Sequence, residues 1–153
     1  MASSLQDIMK PYFLRQAAAT EGGSSTTTQT ADTTSPSVTA LTTGSRPLTL
    51  SPNTLGTSTM TTEILKGATI SGGNTVNYID IGNADTKQQL ATVTVNPTID
   101  VAGTTLLNVS LALLNNNIND IYLEPNTVYV IRTANTSIAA ETVTQSLLFR
   151  RTV

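Results

Sequence analysis

Carboxylates are the side chains in this sequence best suited to moving protons. Asp80, Asp85, Asp100, Asp120, Glu124 and Glu141 are the candidates for a paired acid and base of the kind that hydrolyses glycosides. Most of them lie within three residues of a Gly, Asn or Pro, where an acidic side chain more often closes a turn by bonding to nearby backbone. Asp80, Asn83 and Asp85 offer loop oxygens that suit calcium, but their spacing does not match an EF-hand loop. The chain has no His and no Cys. This excludes Ser-His-Asp and Cys-His nucleophiles, thiolate metal sites and imidazole zinc sites together. Lys10, Lys66 and Lys87 belong to no Ser-Lys motif. Gly67, Gly72, Gly73 and Gly82 are followed by no Gly-Lys-Ser/Thr step and no strand-to-helix switch, so they read as turn glycines rather than a phosphate cradle. The expectation is a protein that is not an enzyme, carries no cofactor and no metal, and acts by binding.

Composition points the same way. The 153 residues are 39% hydrophobic but only 4% aromatic, with no Trp and two Phe, Phe13 and Phe149. The core must therefore be built from Ile, Val and Leu, and association with partners is an expected source of extra stability. Charged residues make up 12% and the net charge is −2, so no basic field exists to draw in nucleic acid. Arg150-Arg151 is the one basic pair, and on a strand its members point to opposite faces. No stretch reaches the length of a membrane span, and no secretion signal is visible at the N-terminus. Asn108-Val109-Ser110 and Asn135-Thr136-Ser137 match the glycosylation pattern, as chance allows in an Asn- and Thr-rich chain.

Three regions organise these residues. In 1–19, Leu5, Ile8, Met9, Tyr12 and Phe13 fall on one face at helical spacing, with Ser4 as a cap and Pro11 as a limit. So short a helix needs a docking surface, and this segment is the candidate anchor. Residues 20–46 are rich in Thr, Ser and Gly and read as a linker or an arm that orders on a partner. A coil of that length spans about 30 Å. Residues 47–153 carry short strand signals separated by turns. Leu107, Val109, Leu111 and Leu113 alternate with Asn108, Ser110 and Ala112. The closing strand places Val143, Gln145, Leu147, Phe149 and Val153 on one side and Thr142, Thr144, Ser146, Leu148, Arg150 and Thr152 on the other. Asn115-Asn116-Asn117 and Glu124-Pro125-Asn126-Thr127 read as turns. Thr is roughly a fifth of the residues, which suits solvent-facing strand positions. The fold expected is all-β, an antiparallel β-sandwich of jelly-roll type with an extended, partly helical N-terminal arm.

A short amphipathic N-terminus, a Thr/Ser/Gly arm and a Thr/Asn-rich β domain without His or Cys resemble the capsid decoration, or cement, proteins of tailed bacteriophages. The stretch Asn119-Asp120-Ile121-Tyr122-Leu123-Glu124-Pro125-Asn126-Thr127 is similar to strand-turn-strand segments of such virion proteins. The resemblance implies a β-sandwich body on the outer capsid surface, made in the host cytoplasm. It implies the major capsid protein as partner, self-association as homodimer or homotrimer, and no nucleic acid or membrane partner. A head-fibre or tail-fibre module that binds host glycans is the alternative, with Tyr78, Tyr122 and Tyr129 as its available aromatics.

Overall fold

A computed structural model describes residues 22–32, 34–56, 60–79, 89–111, 115–117, 120–135 and 140–151. The described residues hold strands and no helix. In chain order the strands are β1 (Gly22–Ala31), β2 (Ser37–Thr43), β3 (Leu48–Gly56), β4 (Met60–Lys66), β5 (Thr69–Ser71), β6 (Asn74–Ile79), β7 (Gln89–Val95), β8 (Thr98–Val101), β9 (Thr104–Leu111), β10 (Asn115–Asn117), β11 (Ile121–Leu123), β12 (Val128–Asn135) and β13 (Glu141–Arg151). One sheet runs β1-β13-β3-β10, with β11 also on β3, and the other runs β6-β7-β2-β12-β4-β9. Every pairing is antiparallel. The chain is an all-β antiparallel sandwich. Its passage between sheets, with β1, β3, β10–β11 and β13 in one and β2, β4, β9 and β12 in the other, is the order of a jelly roll.

The remaining strands come from one long hairpin. Its ladder runs through β4·β9, then β5·β8, then β6·β7. The hairpin bends twice, and the bends are where the backbone turns left-handed: Gly67, Gly72, Gly73, Asn96 and Gly103 all have positive φ. A side chain at Gly103 would also put its Cβ 2.4 Å from the Lys66 carbonyl, so only glycine fits there. The bends carry β7 over to pair with the far side of β2. The β5·β8 ribbon thereby crosses the outer face of the six-stranded sheet. Ile70 and Ile99 of that ribbon, with Ala68, cover Val38, Ala40, Leu65, Val128 and Val130. Strands β2 and β12 are consequently buried on both faces.

Between the sheets the core has two parts. Leu41, Leu48, Leu50, Ile64, Leu90, Val93, Leu123, Tyr129, Ile131, Leu147 and Phe149 form the apolar part. Phe149 meets Tyr78 edge to face at 4.9 Å, a contact that Gly23 permits, since a Cβ there would lie 2.7 Å from the Tyr78 ring. Beyond Leu147 the filling turns polar around Gln145, which is 1% exposed. Its amide nitrogen donates to Thr133 Oγ1 at 3.0 Å and to the Ile131 and Ser37 carbonyls at 3.3 and 3.4 Å. Its amide oxygen accepts from Thr39 Oγ1 at 2.5 Å. One side chain of β13 is thus bonded to two strands of the facing sheet.

The span 20–46, expected to be a linker or arm, contributes β1 and β2, so that among the described residues the sandwich includes Gly22 onward and not only residues from 47. Two effects outweigh its polar composition. Leu41 is fully buried, worth about 2 kcal/mol for a side chain of that size. Strand β1 instead pairs along all ten of its residues with β13. Asp32 closes the turn between the two strands by accepting the Thr34 and Ser35 amides at 2.8 and 2.7 Å. Asn115–Asn117, expected as a turn, is the short strand β10 on β3. The turn at Glu124–Thr127 is present, with Asn126 at φ 53° after Pro125, as a type II turn requires. The expected helix within 1–19 lies outside the described residues.

Replacing Gln145 with Leu keeps its bulk but leaves Thr39, Thr133 and two carbonyls with fewer partners. The expected cost is about 2 kcal/mol, read as a lower urea midpoint at unchanged m-value. An unchanged midpoint would remove the polar half of the core from the account.

Candidate interaction surface

The alternation that fills the core also sets the opposite face of the five-stranded sheet. On β1, Ser24, Thr26, Thr28 and Thr30 point outward and are exposed. On β13 the outward residues are Thr142, Thr144, Ser146, Leu148 and Arg150, and on β3 they include Thr49, Ser51 and Asn53. Hydroxyls pair across the strands: Thr26 with Ser146 at 3.4 Å and Thr28 with Thr144 at 3.2 Å. Over much of its area this face therefore presents methyl and hydroxyl groups and no charge.

One end of the face differs. Tyr122 on β11 lies beside Thr49, and Thr49 lies beside Arg150. Leu148, two residues from Arg150 along the same face, lies beside Ser51. Tyr122 is 58% exposed and Leu148 is 53% exposed. Arg150 Nη2 donates to Asp120 Oδ2 at 2.7 Å, and Ser51 Oγ donates to Asp120 Oδ1 at 2.5 Å. The Ser51 hydrogen bond first, and then the Arg150 guanidinium, hold the Asp120 carboxyl below its ordinary value of 3.8. An aromatic ring, an Arg fixed by its carboxylate and an exposed Leu on one flat sheet have the composition of an interface centre. A shallow depression bordered by Gly22, Gly23, Ser24, Leu148 and Arg150 adjoins them.

The other sequence candidates are scattered. Asp100 accepts from Ser71 Oγ at 3.2 Å. Glu124 pairs with Lys66 Nζ at 2.7 Å, and that hydrogen bond raises the Lys66 pKa. Glu141 opens β13. Asp80, Asn83 and Asp85 lie outside the described residues, as do Leu5, Ile8, Met9, Tyr12 and Phe13. Among the described residues no group of three acidic side chains is placed to hold a metal ion. The tyrosines do not gather. Tyr129 is buried and its hydroxyl oxygen accepts the Glu124 amide at 2.7 Å. The Tyr78 hydroxyl donates to the Ser24 carbonyl at 2.9 Å, leaving Tyr122 as the exposed ring. Arg150 is held in a surface ion pair with Asp120.

The sequence reading did not single out Leu148, nor the pair of Glu63 and Arg132. Leu148 had a signal, an apolar residue in the outward phase of an otherwise hydroxyl-bearing strand. Glu63 and Arg132 are cross-strand neighbours on the outer face of the other sheet. They are joined by the Arg132 Nε to Glu63 Oε2 bond at 3.0 Å, with a further contact from Arg132 Nη2. Only the register of β4 on β12 brings them together.

No family model matches the chain, and no curated protein sequence matches it. Among solved structures it is similar to the crystal structure of the Yersinia pseudotuberculosis-derived mitogen, with 10% identity, a TM-score of 0.39, and coverage of 83% of this chain and 86% of that chain. No residue role is carried over from that protein.

Asp120 gives a titration test. A carboxyl whose pKa is depressed on folding adds stability that is complete above the unfolded value and is lost as pH falls through the folded value. The difference in stability between the unmodified chain and Asp120→Asn is therefore expected in full at about pH 6 and should be smaller at about pH 2, below the ordinary carboxylate value. Urea titrations at the two pH values measure it, and a difference undiminished in acid would contradict the assignment.

Proposed function

We propose that this chain is a structural virion protein that binds the outer capsid surface and cements neighbouring major capsid protein subunits. The observation that carries the reading is the outer face of the five-stranded sheet. It is broad, mostly uncharged and covered with hydroxyls, with Tyr122, Leu148 and the Arg150–Asp120 pair at one end. Such a face loses little on desolvation, because its hydroxyls can pair with backbone groups of a partner and few charges need be stripped of water. Its apolar end supplies the anchor side chains. Many copies with several contacts each, including self-association as a dimer or trimer, multiply a weak single contact. The leader residues Leu5, Ile8, Met9, Tyr12 and Phe13 serve in this reading as a second contact, joined to the body directly at β1. The glycan-binding alternative draws less support, because one tyrosine of its three is exposed.

Sedimentation with capsid shells stripped of the chain tests this. The double variant Tyr122→Ala with Leu148→Asp is expected to bind at least tenfold more weakly while melting like the unmodified protein. Removing residues 1–20, which spares β1, is expected to weaken binding separately. Undiminished binding by the double variant would exclude the outer face, and undiminished binding by the truncated chain would exclude the leader.

A further inference from the structure

The two sheets do not end together. Of the four sheet edges, β10 and β11 are three residues each, and β6 and β9 each meet their neighbour through a register shift. These are ordinary means of blunting an edge. Strand β1 has none of them. It runs ten residues in unbroken register with β13, contains no proline and no charged residue, and on its other side no described strand pairs with it.

The facing sheet continues past it. Val76 on β6 sits directly opposite Val93 on β7 and shares its face. Val93 is fully buried in the core, yet Val76 is 52% exposed. Tyr78, on the same face two residues on, is covered: its ring packs on Phe149 and its hydroxyl takes the Ser24 carbonyl of β1. The cover given by the five-stranded sheet therefore stops at β1, and the inward face of β6 projects beyond it. The uncovered width is about one strand, roughly 4.8 Å.

We infer that this step is a strand-acceptor site, filled by a lone extended segment of a partner protein that continues the sheet beyond β1 and covers Val76. The amides and carbonyls of β1 beyond Ser24 that no described strand pairs recognise extended backbone and little else. The projecting β6 blocks a second sandwich from approaching edge to edge, because only one further layer fits above it at a spacing of about 10 Å. A copy of β1 inside its own sheet is thus excluded as the occupant over this stretch. The slot is lined by Ser25, Thr27, Gln29 and Val76, with Thr26 and Thr28 on the outer side. None is charged, so a charged side chain buried there would lack a counterion. The segment that fits is uncharged over about five residues, with an apolar side chain over Val76 and small or hydroxyl side chains outward.

This site is distinct from the outer face assigned to the capsid contact, and its test needs no capsid. The full chain is titrated with the synthetic peptide Lys-Thr-Val-Thr-Val-Thr-Val-Thr-Lys while amide hydrogen exchange is followed by NMR. Saturable binding should slow exchange at least tenfold at alternate amides of β1. Replacing the central Val of the peptide with Pro, or Val76→Asp in the protein, should weaken binding at least tenfold. Val101→Asp, at an exposed position on β8, should leave it unchanged. Two results would overturn the inference: no change at β1 up to millimolar peptide, or full protection of every β1 amide in the free chain.

Discussion

The two sheets are held in register by a buried amide. Gln145 is the one buried polar residue on a strand whose other buried residues are Val143, Leu147 and Phe149, and it bonds to β2 and β12 at once. A sliding hydrophobic interface has no preferred alignment at the scale of one residue, whereas an amide with both its donors and its acceptor engaged does. Thr62 and Thr133 extend the network at 3.2 Å, and Thr27 and Gln29 reach Thr39 at 3.4 Å. In this way β1, which buries no large side chain between the sheets, is tied into the interior. A core poor in aromatics is completed by hydrogen bonds rather than by bulk.

That constraint governs which faces are free to bind. Because the odd-numbered residues of β1 and β13 face inward to meet Gln145 and its neighbours, the even-numbered Thr and Ser residues are fixed outward. Tyr122, Leu148 and Arg150 join them in the same phase. On the other sheet the β5·β8 ribbon covers much of the corresponding outer face. Among the described residues only the five-stranded sheet keeps a wide open surface. Its low charge follows from the same alternation, since few acidic or basic residues occur at its outward positions.

Parts of this were legible in the sequence. The alternation Val143, Gln145, Leu147, Phe149 reports a half-buried strand directly, and Pro125-Asn126 reports a turn, because both depend on residues adjacent in the chain. The all-β sandwich follows from many such local signals. Strand β1 was not legible. Gly-Gly-Ser-Ser-Thr-Thr-Thr-Gln-Thr has the composition of a linker, and what orders it is a backbone ladder with β13, more than a hundred residues away in the chain. Asn115–Asn117 was hidden for the same reason: three asparagines favour a turn locally, and only pairing with β3 makes them a strand. The interaction surface was half visible. Tyr122 and Arg150 stood out by type, but their neighbourhood is set by β3 lying between β11 and β13. The long hairpin that wraps the six-stranded sheet carried its bends openly in Gly67, Gly72, Gly73 and Asn96-Pro97, though not the direction in which they fold it.

The claim on which the functional account rests is that the hydroxyl-covered outer face is where this protein meets its shell. A side-chain-resolution reconstruction of a capsid to which the chain is bound measures this directly. The account predicts many copies on the outer capsid, at junctions between major capsid subunits, with Tyr122 and Leu148 covered by the shell. A chain confined to a few copies at a tail or fibre tip, or one that sits on the capsid with that face turned to solvent, would contradict it.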